Sequence, residues 1–456
     1  MGRVLGLTLA ALVSGTIAFF ALGLFSPVAT AIPAFGRKTG MACSACHEVW
    51  PRLNDFGQNF RDRGYRLKRD RDAPVAQDPS YWPLSLRTTA GYQFLRQALV
   101  QSDSGPITTN TGTFGFTGLD VWAAGTLGDK LSFAITYTPG LESAGFQLAG
   151  NGANGDLETA FIGLHDLVIP NWVNLRVGKH ALDLPIDEHR QITLTSGYNS
   201  YHFHPEDSSV AFEPGSNHAG VELYGHSELS RVRYSISLVN ERGSQIFSNN
   251  LVSNPVVWGH LTASQYLDNG VLAAVKGGVF GAIGWHPTGV ATLTPPPGDD
   301  GKPGGPPMPL QGSGYAHQKH STYGAEGHLV FFSTVNPLTL TGVLWGNTQD
   351  QAFGGPSATQ QARWLGAFIE GVYTYNPRLS LVARYERIRT LQAFDPTRDR
   401  AVGELTSMTG AVRHTFELTS RTEAALQVEV TRTSDRAPDG SLPSTWAGLL
   451  AFDFTM

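Results

Sequence analysis

Cysteine is nearly absent from this chain: the only two, Cys43 and Cys46, stand within four consecutive residues. No structural disulfide is therefore available to the rest of the molecule. Charge is scarce too. Asp, Glu, Lys and Arg make up 16% of the residues, where about 25% is usual for a soluble domain. The formal net charge of -5 lacks the basic excess that nucleic acid or an anionic membrane surface would call for. Apolar runs long enough to span a bilayer are missing beyond the N-terminus, and the mean hydropathy is -0.14, which excludes a multi-span helical bundle. The chain also lacks a phosphate-binding glycine loop, a dinucleotide fingerprint and a recognisable hydrolase triad.

What is abundant is glycine, 52 residues, and aromatic side chains, 10% of the total. With few charges, that composition suits a large β-barrel, although a soluble multidomain β-protein shares it. The single apolar run, Val4 to Phe25, follows Arg3 and precedes Pro27 and Ala29-Thr30-Ala31. A basic start, an apolar stretch and a small-residue cleavage site describe an export signal cleaved after Ala31, with an uncleaved anchor as the rival. Three parts follow: a signal peptide at 1–31, a short segment at 32–78 and a strand-rich body at 79–456.

The two cysteines belong to Cys43-Ser44-Ala45-Cys46-His47, the attachment pattern of a c-type haem. Thiols two residues apart on a helical turn each reach one vinyl group, and the adjacent histidine sits under the iron as proximal ligand. A disulfide, a redox dithiol and half a zinc site are the alternatives, and a zinc site needs four ligands. One covalent haem c held by Cys43, Cys46 and His47, with His47 on the metal, is the expectation. The sixth ligand is not evident, because no methionine lies between Met41 and Met308 and no histidine between His47 and His165. A barrel residue, Lys68, the new amino terminus near Ile32, water or nothing would have to serve. Histidines gather at His180, His189, His202, His204 and His218, and each also reads as an ordinary lumen or loop residue.

From Pro83 onward, strands of about ten residues alternate apolar and polar positions. Leu131 to Tyr137, Val232 to Leu238 and Leu379 to Glu386 each carry one apolar, aromatic face for lipid and one small or charged face for a polar lumen. Tight turns fall at Gly128-Asp129, Pro170-Asn171, Ser227-Glu228, Asn269-Gly270, Asn336-Pro337, Asn376-Pro377 and Thr419-Ser420. Seven such hairpins, a first strand at Leu84 to Phe94 and a last at Trp446 to Met456 give about sixteen antiparallel strands. The strand near Leu261 is the weakest of the set. Short turns face the periplasm, so both chain ends lie there. Pro287 to Ser313, with Pro295-Pro296-Pro297, reads as a flexible outer loop. The terminal Met456 departs from the aromatic residue with which barrel chains usually end. A soluble β-sandwich or propeller is the rival fold, but no blade repeat is present. The fold class is thus an all-β transmembrane barrel preceded by a short α-helical c-type cytochrome segment.

That segment is too short to bury much of a core alone. Glu48 to Arg63 reads as a helix with Trp50, Leu53, Phe56 and Phe60 on one apolar stripe, which would pack on the haem and dock in the barrel mouth as a plug.

Ile32-Pro33-Ala34-Phe35-Gly36-Arg37-Lys38-Thr39-Gly40 leads into the haem motif, and Trp50-Pro51-Arg52-Leu53-Asn54-Asp55-Phe56-Gly57 and Gly64-Tyr65 follow it. This stretch closely resembles the fused monohaem cytochrome–porins of the outer membrane, some of which are iron oxidases of iron-oxidising bacteria. The body resembles that family in size, position and strand number only. The resemblance implies electron transfer across the outer membrane between an extracellular donor such as Fe(II) and a periplasmic soluble cytochrome or other acceptor. It leaves open whether the chain is an Fe(II):cytochrome c oxidoreductase, because similar heads occur on barrels of bacteria that do not oxidise iron. Outward electron transfer to an external acceptor, and a diffusion porin plugged by a haem segment, are the other readings. Asp299 and Asp300 on the outer loop could gather Fe(II) through hard oxygen ligands. The partners expected are outer-membrane lipid, an extracellular redox partner and a periplasmic one.

Overall fold

The computed structural model describes residues 34–39, 41, 43–67, 83–101, 105–139, 156–195, 197–203, 212–240, 255–267, 270–288, 292–293, 308–309, 316–332, 336–349, 362–392, 394–395, 400–401, 404–419, 422–435 and 444–455. The export signal, Lys68, His204, Asp299 and Asp300 lie outside the described residues.

Sixteen antiparallel strands close into one barrel. They are β1 (Leu84–Gln101), β2 (Gly105–Gly128), β3 (Leu131–Thr138), β4 (Asp156–Leu164), β5 (Asn174–Ala181), β6 (Asn217–His226), β7 (Val232–Asn240) and β8 (Pro255–Tyr266). The second half is β9 (Leu272–Thr288), β10 (Ala316–Phe331), β11 (Leu338–Gln349), β12 (Ala362–Asn376), β13 (Leu379–Gln392), β14 (Glu404–Thr419), β15 (Thr422–Asp435) and β16 (Ser444–Thr455). Each strand pairs with its neighbours in sequence, and β16 returns to β1, with Ser444 opposite Ala98 and Thr455 opposite Arg87. Closure removes every free edge, so no backbone donor or acceptor of the ladder is left to lipid.

The expected strand count and all seven expected hairpins match this architecture, the strand around Leu261 included. Strand lengths differ: β1 and β2 run well past the expected ten residues, and β9 continues through Pro287 to Thr288. Of the outer insertion, the described parts are that strand extension and a short ladder joining Thr292–Leu293 to Met308–Pro309.

Alternation sets the two faces. In β3, Leu131, Ile135 and Tyr137 are exposed while Ser132, Ala134 and Thr138 are buried. The same holds in β13, where Leu381 and Tyr385 point out and Val382, Arg384, Glu386 and Ile388 point in. Around the wall, Ile236, Leu238, Val279, Leu344 and Ile369 are each more than half exposed. A continuous apolar exterior on a closed barrel is a lipid-facing surface. No helix among the described residues is long and apolar enough to cross a membrane. The strands do the crossing, and the chain is a closed transmembrane β-barrel of sixteen strands.

The interior differs from the open polar lumen that alternation alone implies. It is filled by two pieces of chain. The N-terminal segment enters at the short-turn end, and the described parts of the stretch between β5 and β6, residues 182–195, 197–203 and 212–216, fold inward from the long-loop end.

Candidate functional site

The N-terminal segment is built from α1 (Ala34–Thr39), α2 (Cys43–Cys46) and α3 (Asp55–Asp62), with a small ladder joining His47–Val49 to Arg52–Leu53. The helix expected from Glu48 to Arg63 is therefore only its second half. Pro51 has no backbone donor and disfavours helix at the residue before it. Asn54 then starts α3 afresh, its Oδ1 accepting from Gly57 N at 2.9 Å. The apolar stripe splits accordingly: Phe60 is buried, but Phe56 is exposed.

Cys43 and Cys46 stand at the two ends of α2, and His47 follows directly. The Cys46 thiol is free and half-buried. The His47 ring lies 4.7 Å from the Trp50 ring, and its Nδ1–H donates to the Pro51 carbonyl at 3.1 Å. That bond fixes the tautomer and leaves Nε2 with its lone pair. Burial, aided by the Arg190 charge, pushes the His47 pKa down to about 4, so the ring is neutral at neutral pH. Gly57 is required here by contact: a Cβ would meet the Cys46 carbonyl oxygen at 2.1 Å, so α3 can lie on α2 only with glycine at that place.

The wall holds this segment by charge. Arg233 on β7 binds Asp62 through Nε and Nη2 at 2.9 and 2.8 Å. Arg61 donates to Asp187 at 3.1 Å, and Arg66 pairs with Asp166 at 3.5 Å. Arg52 binds Glu370 on β12 and donates to Tyr198 Oη at 3.2 Å. Thr339 donates to Glu48, and Tyr266 to Asp55. Ala34 N reaches Ser85 Oγ at 3.1 Å. An aromatic cluster of Phe35, Phe60, Tyr65 and Trp122 closes the gap, with Phe35 stacked on Tyr65 at 4.9 Å. Gly64, at φ +68, lies over the buried His165, whose ring bonds Ser132 Oγ at 2.7 Å and Tyr224 Oη at 3.2 Å.

The inner loop is held in a different way. Leu182, Leu184, Ile186, Tyr198, Tyr201 and Phe212 bury themselves against Trp258, Phe280, Trp345, Trp364, Phe368 and Ile388 of the wall. Wall carboxylates cap its backbone: Glu386 accepts from Asn199 N and Ser200 N at 2.9 and 2.7 Å, and Glu429 from Leu194 N at 2.7 Å. His202 sits between Glu188 at 2.5 Å and Glu213 at 3.2 Å. Burial alone would lower its pKa, but the two carboxylates raise it to about 10.

The histidines of the His180–His218 stretch do not form one cluster. His180 and His218 face each other across β5 and β6, both buried. His202 is in its carboxylate clamp, and His189 is exposed on a 3-10 turn (Glu188–Arg190). Among the described residues, no group of three or more His, Cys, Asp and Glu side chains is arranged to hold a metal ion directly. Sequence reading missed the inward carboxylates Glu370, Glu386 and Glu429, and the docking pair Asp62 and Arg233. The available signal was a charged residue on the inward parity of an otherwise apolar strand, and the apolar residues packed into what looked like a loop at 182–201.

No protein-family model matches the chain, and no curated protein matches it. Among solved structures, the fold is similar to an anion-selective porin from Comamonas acidovorans, with a TM-score of 0.49, 11% identity, 82% of this chain covered and 99% of that one. It is similar to OprB of Pseudomonas putida, at TM-score 0.48 and 9% identity, covering 82% of this chain and 94% of that one. The outer membrane channel DcaP of Acinetobacter baumannii is a third, at TM-score 0.46, 11% identity, and 82% and 96% coverage.

Proposed function

We propose that the protein is an outer-membrane electron conduit in which Cys43 and Cys46 hold one haem c covalently and His47 binds its iron. When bound, haem c supplies a one-electron redox centre. The observation that carries the proposal is that the chain's two cysteines and the adjacent histidine belong to a segment held inside the barrel. The donor set fits the group: the Cys46 thiol is free, and the His47 tautomer presents Nε2. Gly57 keeps the turn after Cys46 compact, and the Arg52–Glu370 pair anchors the segment to the wall.

The lipid-facing band is about 25 Å tall. A redox centre at either rim would leave one long gap, whereas one within the lumen divides the distance. The buried ion pairs fix the segment against the wall, and the inner loop packs its apolar side chains against those of the wall within the lumen. Exclusion of solvent tunes the potential of such a centre. In the preferred direction, an extracellular donor, with Fe(II) as the favoured case, gives up one electron, and a periplasmic soluble cytochrome takes it. A one-electron exchange of this kind would make the protein an Fe(II):cytochrome c oxidoreductase.

The test is to purify the full chain from cells that mature c-type cytochromes, stain it for covalent haem, and mix it with Fe(II) in a stopped-flow instrument while titrating its potential. Covalent haem, rapid reduction and a potential above that of the Fe(II) source support inward flow. Haem that is reduced by dithionite at low potential and not by Fe(II) shifts the direction outward. A second reading, a diffusion porin closed by this segment, draws on the porin-like barrel. It predicts solute flux in liposomes and no covalent haem.

A further inference from the structure

We infer that His189, on the inner loop of the barrel, is the sixth ligand of the iron, an assignment that presupposes the haem proposed above.

The N-terminal segment has little of its own to offer the distal side. Apart from Met41, two residues from Cys43, it contains no methionine, and apart from His47 no histidine. The inner loop comes to it. Residues 187–192 are pinned to the segment at both ends. At one end, Asp187 accepts from Arg61 at 3.1 Å and pairs with Arg190 at 3.1 Å. At the other, Ile192 packs with Val49, two residues past His47, in a buried cluster completed by Val372, Val382 and Ala411. Gln427 holds the Ile192 carbonyl at 3.1 Å. Between the pins, the turn is rigid: His189 N donates to Asp187 Oδ1 at 3.1 Å, and Gln191 N to the Glu188 carbonyl at 3.3 Å.

His189 itself is the exception among the histidines outside the haem motif whose side chains are described, since His328 too is engaged, by Thr341 Oγ1 at 2.9 Å. His165, His180, His218, His226, His260, His320 and His414 are buried in the wall or against it. His202 is clamped by two carboxylates. The His189 side chain is exposed although its turn is held inside the barrel, and its ring makes no hydrogen bond among the described residues. An imidazole whose ring makes no hydrogen bond among the described residues, on a turn pinned beside the proximal histidine's ladder, is the donor chemistry that haem iron takes as a second axial ligand. Coordination through His189 would join the segment to the barrel, so the redox centre would be complete only in the docked protein.

The experiment uses the full-length, haem-loaded protein in detergent. Ferric electron paramagnetic resonance and the Soret band are recorded for wild type, His189→Ala, His189→Met and, as a control, His202→Ala. The expected result is a low-spin bis-imidazole signal in wild type and in His202→Ala. It is lost to a high-spin signal in His189→Ala and restored by added imidazole. His189→Met should stay folded and low-spin with a raised midpoint potential, since methionine ligation raises it. A wild type that is already high-spin, or a His189→Ala spectrum that matches wild type, overturns the assignment and leaves the haem proposal standing. Absence of covalent haem from the wild type overturns the haem proposal itself.

Discussion

The two halves of the lumen are closed by different physics. At the short-turn end, the N-terminal segment is tied down by ion pairs: Asp62 with Arg233, Arg61 with Asp187, Arg66 with Asp166. At the long-loop end, the described residues between β5 and β6 join the wall in an aromatic core, with Tyr201 and Trp345 rings 5.2 Å apart and Trp345 and Phe280 4.8 Å apart. The difference teaches how each part came to be inside. The N-terminal segment is not one of the barrel's own strands, so it must find one docking pose in the lumen, and charge pairs specify a register. A loop inside the barrel's own sequence needs only to collapse, and apolar burial does that without direction. The halves share Glu370, which binds Arg52 from the segment, Tyr198 from the loop at 2.9 Å and Arg384 from the wall at 3.6 Å, and they also touch directly where Arg61 binds Asp187 and Val49 packs on Ile192.

Breaking that junction should have the largest effect. Glu370→Ala leaves Arg52 and Arg384 buried without their shared carboxylate, and losing one partner of a buried pair costs about 3–5 kcal/mol. Urea unfolding of the folded barrel in detergent, read by its heat-shifted migration, should show that loss with both halves loosening together. A Glu370→Ala barrel of wild-type stability would mean that the halves are coupled through Arg61–Asp187 and Val49–Ile192 and not through this carboxylate. Trp345→Ala should cost a similar amount, about 3–5 kcal/mol for a buried aromatic. It should leave docking of the N-terminal segment intact, as judged by protection of residues 43–67 from protease.

The ionic half can be tested by a cycle. Asp62→Asn and Arg233→Gln, alone and together, should show a coupling of about 1–3 kcal/mol, as expected for groups in one buried network. A coupling near zero would mean that shape, through Phe35, Tyr65 and Trp122, does the docking and the charges are incidental.

The halves should also fail at opposite ends of the pH scale. His165 lies under Gly64 at the short-turn end. Burial pushes its pKa from 6.5 down to about 4, helped by Arg66 and Arg176 and opposed by Asp166 and Asp62. Its folded pKa is below its unfolded one, so its contribution to stability is full above 6.5 and is lost as pH falls toward 4. His202 is the reverse. With its pKa raised from 6.5 to about 10, its contribution is full below 6.5 and is lost as pH rises toward 10. Replacing His165 with Gln should flatten the acid limb of a stability–pH curve, and His202→Gln the alkaline limb. If both variants altered the same limb, the assignment of the two histidines to separate halves would fail.

The barrel was legible in the sequence because strand alternation and turn residues are local signals. Leu131 to Thr138 shows its faces without help from any distant residue. The pairings inside the lumen and the inward course of the loop between β5 and β6 were not legible, because they depend on which inward residue meets which segment. Asp62 and Arg233 are far apart in the chain, and nothing near either announces the other. The Cys43–His47 motif was directly readable, since its five residues are contiguous. Its surroundings were only half so: Pro51 should have divided the expected helix, but that Arg190 and Ile192 lie beside His47 and Val49 follows only from the fold.

The smallest of the effects is also the most local. Asn54 caps α3 with its side-chain oxygen on Gly57 N, and its Nδ2 donates to the Ala45 carbonyl at 3.0 Å, within α2. Loss of an N-cap costs about 1 kcal/mol. Asn54→Ala should therefore leave the barrel's unfolding unchanged, because α3 is clamped elsewhere by Asp62 and Asn59. What it should change is the turn after Cys46, which Asn54 alone ties to both helices. Faster amide hydrogen exchange at residues 45–57, with exchange in α3 beyond Phe60 unchanged, is the expected pattern. Exchange that spreads through all of α3 would show that the charge clamps are weaker than one helix cap, and that the ordered state of the segment is set from within rather than by the wall.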